Sequence, residues 1–302
     1  MTLDDCAKEF IFQKELAALS PATIKDYRNF IDIFFKYIDK SLPLDSVSYD
    51  LVSECLRRLI RGQYSKNTIS TYIRNIRIFL RWIYREYGLP FDPGKIIVPK
   101  RPKKAVRVLN DAEVRFLLDS VESSFEWIRE RNRAIIAFML DSGLRLSEIC
   151  GLKKENLDSD HMVAKITGKG AKDRFVPMGK FVFQLINEYL ALCPYKNTEY
   201  VFLGRYGAVI TQNAIKVFMN ELKHKTGLDI SSHKLRHNFA TNFCIDSLKE
   251  TGSTNTADLA AIMGHESSET TKQYEHFAVQ MVAAEFHRSH LDGVYLNKYA
   301  NN

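Results

Sequence analysis

Residues 141–152 read DSGLRLSEICGL and follow an apolar segment, Ile128 to Leu140, that predicts a helix. We expect this helix to stop at Gly143, because glycine is a common residue where a helix ends. Arg145 and Glu148 follow, three residues or about one helical turn apart, so that the carboxylate can hold the guanidinium. Considered alone, Arg145 would be a surface charge at the start of a helix.

Three further stretches lie downstream: GKGAKDRFVPMG at 168–179, SSHKLRHNFAT at 231–241 and IMGHESSETTKQY at 262–274. Apolar and polar residues alternate from Met162 to Pro177, which predicts a β-hairpin with Lys169 in its turn. The other patterns predict helices, at about 110–121, 182–192, 212–225, 233–245, 257–263 and 279–286. We therefore expect residues 107–302 to form an α+β domain that is mainly helical and has a small antiparallel sheet.

The first third of the chain, residues 1–98, predicts an all-α domain. Ser20 and Ser65 are each followed by a helical pattern, and serine is a favoured N-cap. A helix between them is expected over about Asp50 to Arg61, with four side chains inward: Leu51, Cys55, Leu56 and Leu59. The helix from Ser65 to Gly88 has the clearest apolar face, formed by Ile69, Ile73, Ile76, Leu80, Ile83 and Tyr87.

Another face of that helix carries four arginines: Arg74, Arg77, Arg81 and Arg85. A row of guanidinium groups suits contact with DNA phosphates, although a solvated helix face is an equally simple interpretation. Residues 99–106 are predicted to be a basic linker, because prolines interrupt the helical pattern there. Its candidate DNA-contacting residues are Lys100, Arg101, Lys103 and Lys104; the alternative is a solvated hinge.

The 302 residues carry a formal net charge of +7, which favours a polyanionic partner such as nucleic acid. Five scattered cysteines without a C-x-x-C pair indicate reduced thiols and a cytoplasmic protein. The sequence begins without a secretion signal and contains no apolar run of about 20 residues, so we expect no contact with a membrane.

The four stretches, taken in this order, resemble the tyrosine recombinase or phage integrase family, specifically its compact, Xer-like bacterial members. The resemblance implies a SAM-like helical core-binding domain followed by a catalytic domain with a C-terminal tail. It also implies six catalytic residues: Arg145, Lys169, His233, Arg236, His265 and Tyr274. Glu148 matches the acid that supports the first arginine. Met263, where leucine is usual, and His276 are small departures from the family pattern.

These residue types suit attack on a phosphodiester. Two guanidiniums, Arg145 and Arg236, can neutralise the charge that develops on the phosphate oxygens. Tyr274 is the expected nucleophile, and His233 the acceptor of its proton. We expect Lys169 to protonate the departing 5′ oxygen and His265 to bond a phosphate oxygen. The product would be a 3′-phosphotyrosine bond that conserves energy, so neither a metal nor ATP nor any other cofactor is expected.

Two other functions share much of this pattern: a type IB topoisomerase-like enzyme that nicks and reseals DNA as a monomer, and a non-catalytic DNA-binding protein of the same fold. His233 and His237 have the i, i+4 spacing of zinc ligands, but neighbouring cations oppose a metal, so His237 is predicted to be structural.

The resemblance implies a clamp around duplex DNA and four protomers on two DNA sites. It also implies that the tail, with its apolar stretch Phe277 to Phe286, docks on a neighbouring protomer. The alternative is that the tail folds back on its own domain.

Overall fold

The computed structural model describes residues 1–100, 107–168, 173–265 and 269–286. The chain divides into two compact units, Met1–Ala105 and Val106–Asn302. Lys169, Arg101, Lys103 and Lys104 lie outside the described residues. Within the described ranges no helix is long and apolar enough to cross a membrane.

The N-terminal unit is built from four helices, α1 (Leu3–Leu16), α2 (Pro21–Phe35), α3 (Tyr49–Arg61) and α4 (Lys66–Glu86), with 3-10 turns at Leu44–Ser46 and Pro93–Lys95. The predicted N-caps are confirmed: the hydroxyls of Ser20 and Ser65 accept hydrogen bonds from the backbone N–H groups of Thr23 and Thr68. Helix α1, which Thr2 and Asp5 cap reciprocally, was not predicted from the sequence. This helix buries Leu3, Cys6 and Phe10 in the core of the unit.

Most of the predicted inward faces in this unit are correct. Five of the six residues expected on the apolar face of α4 are buried: Ile69, Ile73, Ile76, Leu80 and Ile83. Tyr87 and Leu51 were wrongly placed inside, because both keep more than a third of their surface exposed. Tyr87 is the C-cap of α4, where the helix ends and its apolar face no longer fixes the direction of a side chain. In α3, Val52 is buried in place of Leu51.

The C-terminal unit combines eight helices and three strands among the described residues. In chain order they are α5 (Asp111–Asp119), α6 (Glu126–Ser142), α7 (Leu146–Gly151), β1 (Leu157–Asp158), β2 (Val163–Thr167), β3 (Asp173–Pro177), α8 (Lys180–Leu192), α9 (Gln212–Thr226), α10 (Ser232–Thr251), α11 (Thr256–Met263) and α12 (Glu269–Phe286); a 3-10 turn spans Lys154–Asn156. The sheet is antiparallel in the order β1-β2-β3, with Ala164 opposite both Leu157 and Val176. The predicted hairpin is confirmed, and β1 was missed.

Two helices differ in extent from the prediction, and the difference matters for the candidate nucleophile. The sequence predicted that α10 ends at Ile245 and that the last helix begins at Val279, but α10 continues to Thr251 and α12 begins at Glu269. The segment ETTKQYE is too polar to show a helical apolar period. Tyr274 therefore lies within a helix, where the sequence had given it no assigned structure.

A large core surrounds α6, whose Ile135 and Phe138 are fully buried. A second, smaller core joins α10, α11 and α12 and contains Phe239, Met263, Tyr274 and Ala278. The described part of the tail, up to Phe286, thus packs on α10 of its own chain, which is the arrangement given above as the alternative to docking on a neighbour. The residues after Phe286 lie outside the described part of the chain.

Candidate active site

The carboxylate of Glu148, in the first turn of α7, binds the side chains of two arginines. Arg145 is the N-cap of this helix; its backbone N–H lies 2.8 Å from one carboxylate oxygen of Glu148, and its Nη1 lies 3.0 Å from the other. Arg174, on β3, donates Nη1 and Nη2 to the same two oxygens at 2.9 and 2.8 Å. Burial alone would raise the pKa of Glu148, but these hydrogen bonds lower it below its ordinary value. The carboxylate is therefore charged and balances two guanidiniums.

Three arginines donate hydrogen bonds to three consecutive backbone carbonyl oxygens at the C-terminal end of α11. The pairs are Arg174 Nε to Ile262 at 2.7 Å, Arg236 Nη2 to Met263 at 2.7 Å, and Arg145 Nη2 to Gly264 at 2.8 Å. Carbonyls in the last turn of a helix lack partners within the helix and carry its negative dipole. The helix end thus holds three positive groups close together, so that their charges converge on one place.

Glycine is required at two points of this arrangement. Gly143 ends α6 with φ +63°, and a side chain there would collide with the ring of Phe239. The carbonyl of Gly143 also accepts a hydrogen bond from Nη1 of Arg236. Gly264 ends α11 with φ +62°, and a Cβ atom would lie 3.3 Å from the side chain of Arg174. These contacts explain the glycines of the GLR and GH stretches.

Burial and crowding by cations shift the ionisation of this cluster. Arg236 is 7% exposed, and burial with the nearby Arg145 lowers its pKa to about 10, so it still carries its charge at neutral pH. Burial, followed by the charges of Arg236 and Arg145, lowers the pKa of His265 to about 4. His265 is therefore neutral, and its Nδ1 lies 2.9 Å from the hydroxyl oxygen of Thr271.

Tyr274 lies in the same cluster, with its side chain almost completely buried. Its ring stacks on His265, and its phenol oxygen lies 2.5 Å from Nδ1 of His237. Burial raises the pKa of Tyr274, while the charge of Arg236 acts in the opposite direction. Nε2 of His237 in turn lies 2.6 Å from Nε2 of His233. The phenol oxygen thus contacts His237, and His233 lies one residue further along the chain of hydrogen bonds.

The structure brings six predicted residues into one cluster: Arg145, Glu148, His233, Arg236, His265 and Tyr274. Lys169 cannot be placed, since it lies outside the described residues. Sequence reasoning missed the contact of His237 with Tyr274, although its i, i+4 spacing from His233 put both imidazoles on one helix face. It also missed Arg174, because a strand pattern does not tell which arginine bonds a distant carboxylate.

The predicted DNA-contacting residues of the N-terminal unit are not equivalent. Arg74, Arg81, Arg85 and Lys100 are exposed. Arg77 is half-buried and donates Nη1 to the carbonyl of Ile96 at 3.1 Å, so it ties α4 to the segment that follows. Among the described residues there is no group of three His, Cys, Asp or Glu side chains arranged to hold a metal ion.

Two family models match the chain. The model described as "Phage integrase family" matches residues 107–281, and "Phage integrase, N-terminal SAM-like domain" matches residues 11–87. The chain belongs to the phage integrase family. The resemblance seen in the four sequence stretches is therefore confirmed, together with the SAM-like and mainly helical α+β fold that it implied.

Curated relatives of this integrase-family protein carry the name tyrosine recombinase. Tyrosine recombinase XerC of Halalkalibacterium halodurans is 31% identical over 274 residues, 85% of this chain and 87% of the relative. Tyrosine recombinase XerD of Staphylococcus aureus is 30% identical and covers 90% of this chain and 93% of its own. The chain is accordingly a tyrosine recombinase by family.

Solved structures of two integrases share its fold. The Tn1549 transposon integrase in complex with a circular intermediate DNA superposes with a TM-score of 0.75 at 19% identity, covering 91% of this chain and 95% of that one. A lambda integrase dimer bound to a COC′ core site gives a TM-score of 0.71 at 14% identity, covering 91% of this chain and 95% of that one. At these identities the likeness establishes the fold.

Proposed function

We propose that the protein is a site-specific recombinase that cuts and rejoins double-stranded DNA through a 3′-phosphotyrosine bond to Tyr274. The observation that carries the proposal is the position of this phenol: it lies in one buried cluster with the charged guanidinium of Arg236, beside His265. The relatives named tyrosine recombinase and the integrases solved on DNA support the same activity.

In the proposed reaction, Arg145 and Arg236 bind the phosphate. Glu148 and the carbonyls at the end of α11 hold the two guanidiniums before DNA arrives, so little reorganisation is needed as charge develops. Arg145 keeps 41% of its side chain exposed and can be reached from solvent. The neutral His265 is placed to donate a hydrogen bond to a phosphate oxygen.

The covalent step exchanges one phosphoester for another. Oη of Tyr274 forms a bond to phosphorus, the bond from phosphorus to the 5′ oxygen breaks, and the phenol proton moves to a histidine. The 5′ oxygen takes a proton from Lys169, whose role stays a prediction. A 5′ hydroxyl from a DNA strand reverses the step, so that bond energy is conserved and neither ATP nor another cofactor is consumed.

We further propose that four protomers act on two DNA sites in the cytoplasm, because exchange between two duplexes requires four strand cuts. The exposed Arg74, Arg81, Arg85 and Lys100 would contact phosphates. The movement of a mobile element is the biological role we propose; two of the solved neighbours are integrases of a transposon and of lambda.

The proposal is tested by capture of covalent DNA. Purified protein is incubated with fragmented duplex DNA from around its own gene, denatured, and the protein-linked strands are sequenced. We expect strands that share one sequence and end in a 3′ phosphate on Tyr274, and no capture by Tyr274→Phe. Equal capture by that variant, or no capture by either protein, would overturn the proposal. A plasmid carrying two captured sites should recombine; relaxation without recombination would indicate a topoisomerase instead.

A further inference from the structure

We propose that His237 is a catalytic residue, which takes the phenol proton of Tyr274 during cleavage and relays a proton to His233. The inference rests on the proposed function and deepens it. The sequence pattern had predicted that this proton goes directly to His233 and that His237 is structural.

The positions of the three side chains form a continuous path. The phenol oxygen lies 2.5 Å from Nδ1 of His237, and Nε2 of His237 lies 2.6 Å from Nε2 of His233. The two imidazole rings meet edge to face, with centroids 4.0 Å apart. Both distances are short for hydrogen bonds, and each bond ends on a ring nitrogen that can exchange a proton.

Two sets of tautomers satisfy both hydrogen bonds with neutral rings, and the relay uses the one in which the phenol is the donor. In this set the phenol O–H donates to Nδ1 of His237, so the proton of that ring is on Nε2. This N–H donates to Nε2 of His233, whose own proton must then be on Nδ1. Each imidazole accepts on one side and donates on the other, as a relay requires.

The surroundings keep both rings neutral before the reaction. Burial, then His233, Arg236 and His265, lower the pKa of His237 to about 4. Burial and Arg236 also lower the pKa of His233. Burial acts on both rings, but His233 keeps a larger fraction of its surface exposed than His237 does. Transfer to His233 moves the positive charge to the more exposed of the two rings, which favours the relay.

When Oη bonds to phosphorus, its proton moves to Nδ1 of His237, and the Nε2 proton of His237 moves to Nε2 of His233. His233 then holds two ring protons and one positive charge. The departing 5′ oxygen is protonated by a separate donor. In rejoining, the protons return along the same path and restore the phenol.

The test measures single-turnover formation of the covalent adduct on the DNA sequence captured above, with His237→Asn. The asparagine side chain can offer an oxygen near the position of Nδ1 and keep the hydrogen bond, but it cannot take a proton. General-base catalysis is typically worth 10²–10⁴-fold, so we expect a rate about 10²-fold lower. The matched control is His224→Asn on an exposed position of α9, which should cleave as the unmodified protein does.

Three further measurements separate a relay from a structural role. Replacing Tyr274 by a fluorinated tyrosine, whose phenol is more acidic, should shrink the deficit of His237→Asn. A substrate with a 5′-bridging sulfur, which leaves without protonation, should not rescue it. In addition, the double variant His233→Asn/His237→Asn should be no slower than His237→Asn, because the two residues act in series.

Several results would overturn the relay. An unchanged rate in His237→Asn would remove its role, and a faster rate would mean that His237 restrains the nucleophile. Rescue by the bridging sulfur would place His237 at the leaving group. If His237→Asn fails to fold by circular dichroism, His237→Gln is measured and judged by the same criteria. Absence of any adduct with the unmodified protein would instead refute the proposed function.

Discussion

Glu148 and Arg174 form a two-pronged ion pair that links α7 to β3, with N–O distances of 2.9 and 2.8 Å. Both side chains are largely buried, at 7% and 11% exposure. Because the same carboxylate also binds Arg145, Arg174 helps to position the arginine that we propose binds the phosphate. The ion pair therefore links the β2–β3 hairpin, whose sequence includes Lys169, to the cluster that contains Arg145.

We expect Glu148→Gln to lower the free energy of unfolding by about 3–5 kcal/mol, the usual cost of breaking a buried ion pair. The glutamine leaves Arg145 and Arg174 without a counter-charge, and adduct formation should slow as well. The control is Asp173→Asn, which removes an exposed pair with Lys165 on the same hairpin, 2.8 Å long. That change should cost much less than Glu148→Gln, because exposed ion pairs contribute little to stability. Chemical denaturation measures both, and equal losses would contradict the positioning role.

The sequence predicted the helices with clear apolar periods, their serine caps and the hairpin, because these depend on local patterns. It also predicted which residues form the cluster, through the order of four short stretches. It could not predict that Arg174 reaches Glu148, since that contact depends on how β3 packs against α7. Nor could it predict that His237 lies between Tyr274 and His233, which depends on the start of α12 in a polar segment.

Gly264→Ala tests whether the end of α11 must approach Arg174. Both the positive φ of +62° and a Cβ contact of 3.3 Å with Arg174 oppose the new side chain. The backbone term alone costs about 1–2 kcal/mol. Gly227→Ala is the matched control, because Gly227 has φ +69° with no atom within 4 Å of the added Cβ. We expect a larger loss of unfolding free energy at Gly264, together with slower adduct formation; equal losses would show that the contact is unimportant.

The histidines of the cluster predict how stability depends on pH. The pKa values of His237 and His265 fall to about 4 in the folded protein, so below the unfolded value of about 6.5 the unfolded chain binds more protons. Their contribution to stability is therefore complete above pH 6.5 and is lost as the pH falls toward 4.

Denaturation between pH 6.5 and 5 should show this slope before most carboxylates titrate. His265→Gln should flatten it, and His224→Gln, at an exposed site on α9, should not. A slope that His265→Gln leaves unchanged would contradict the assignment of its neutral state.

The arginine face of α4 predicts a difference in salt dependence among its members. Arg74, Arg81 and Arg85 are exposed, whereas Arg77 donates to the carbonyl of Ile96. If an exposed arginine contacts a phosphate, its change to alanine should reduce the slope of log K against log salt by about 0.9, through release of one fewer counterion. Arg77→Ala should instead lower the unfolding free energy and change the slope less. Binding to the captured DNA at several salt concentrations measures these slopes, and an equal effect at all four positions would show that exposure does not identify the phosphate contacts.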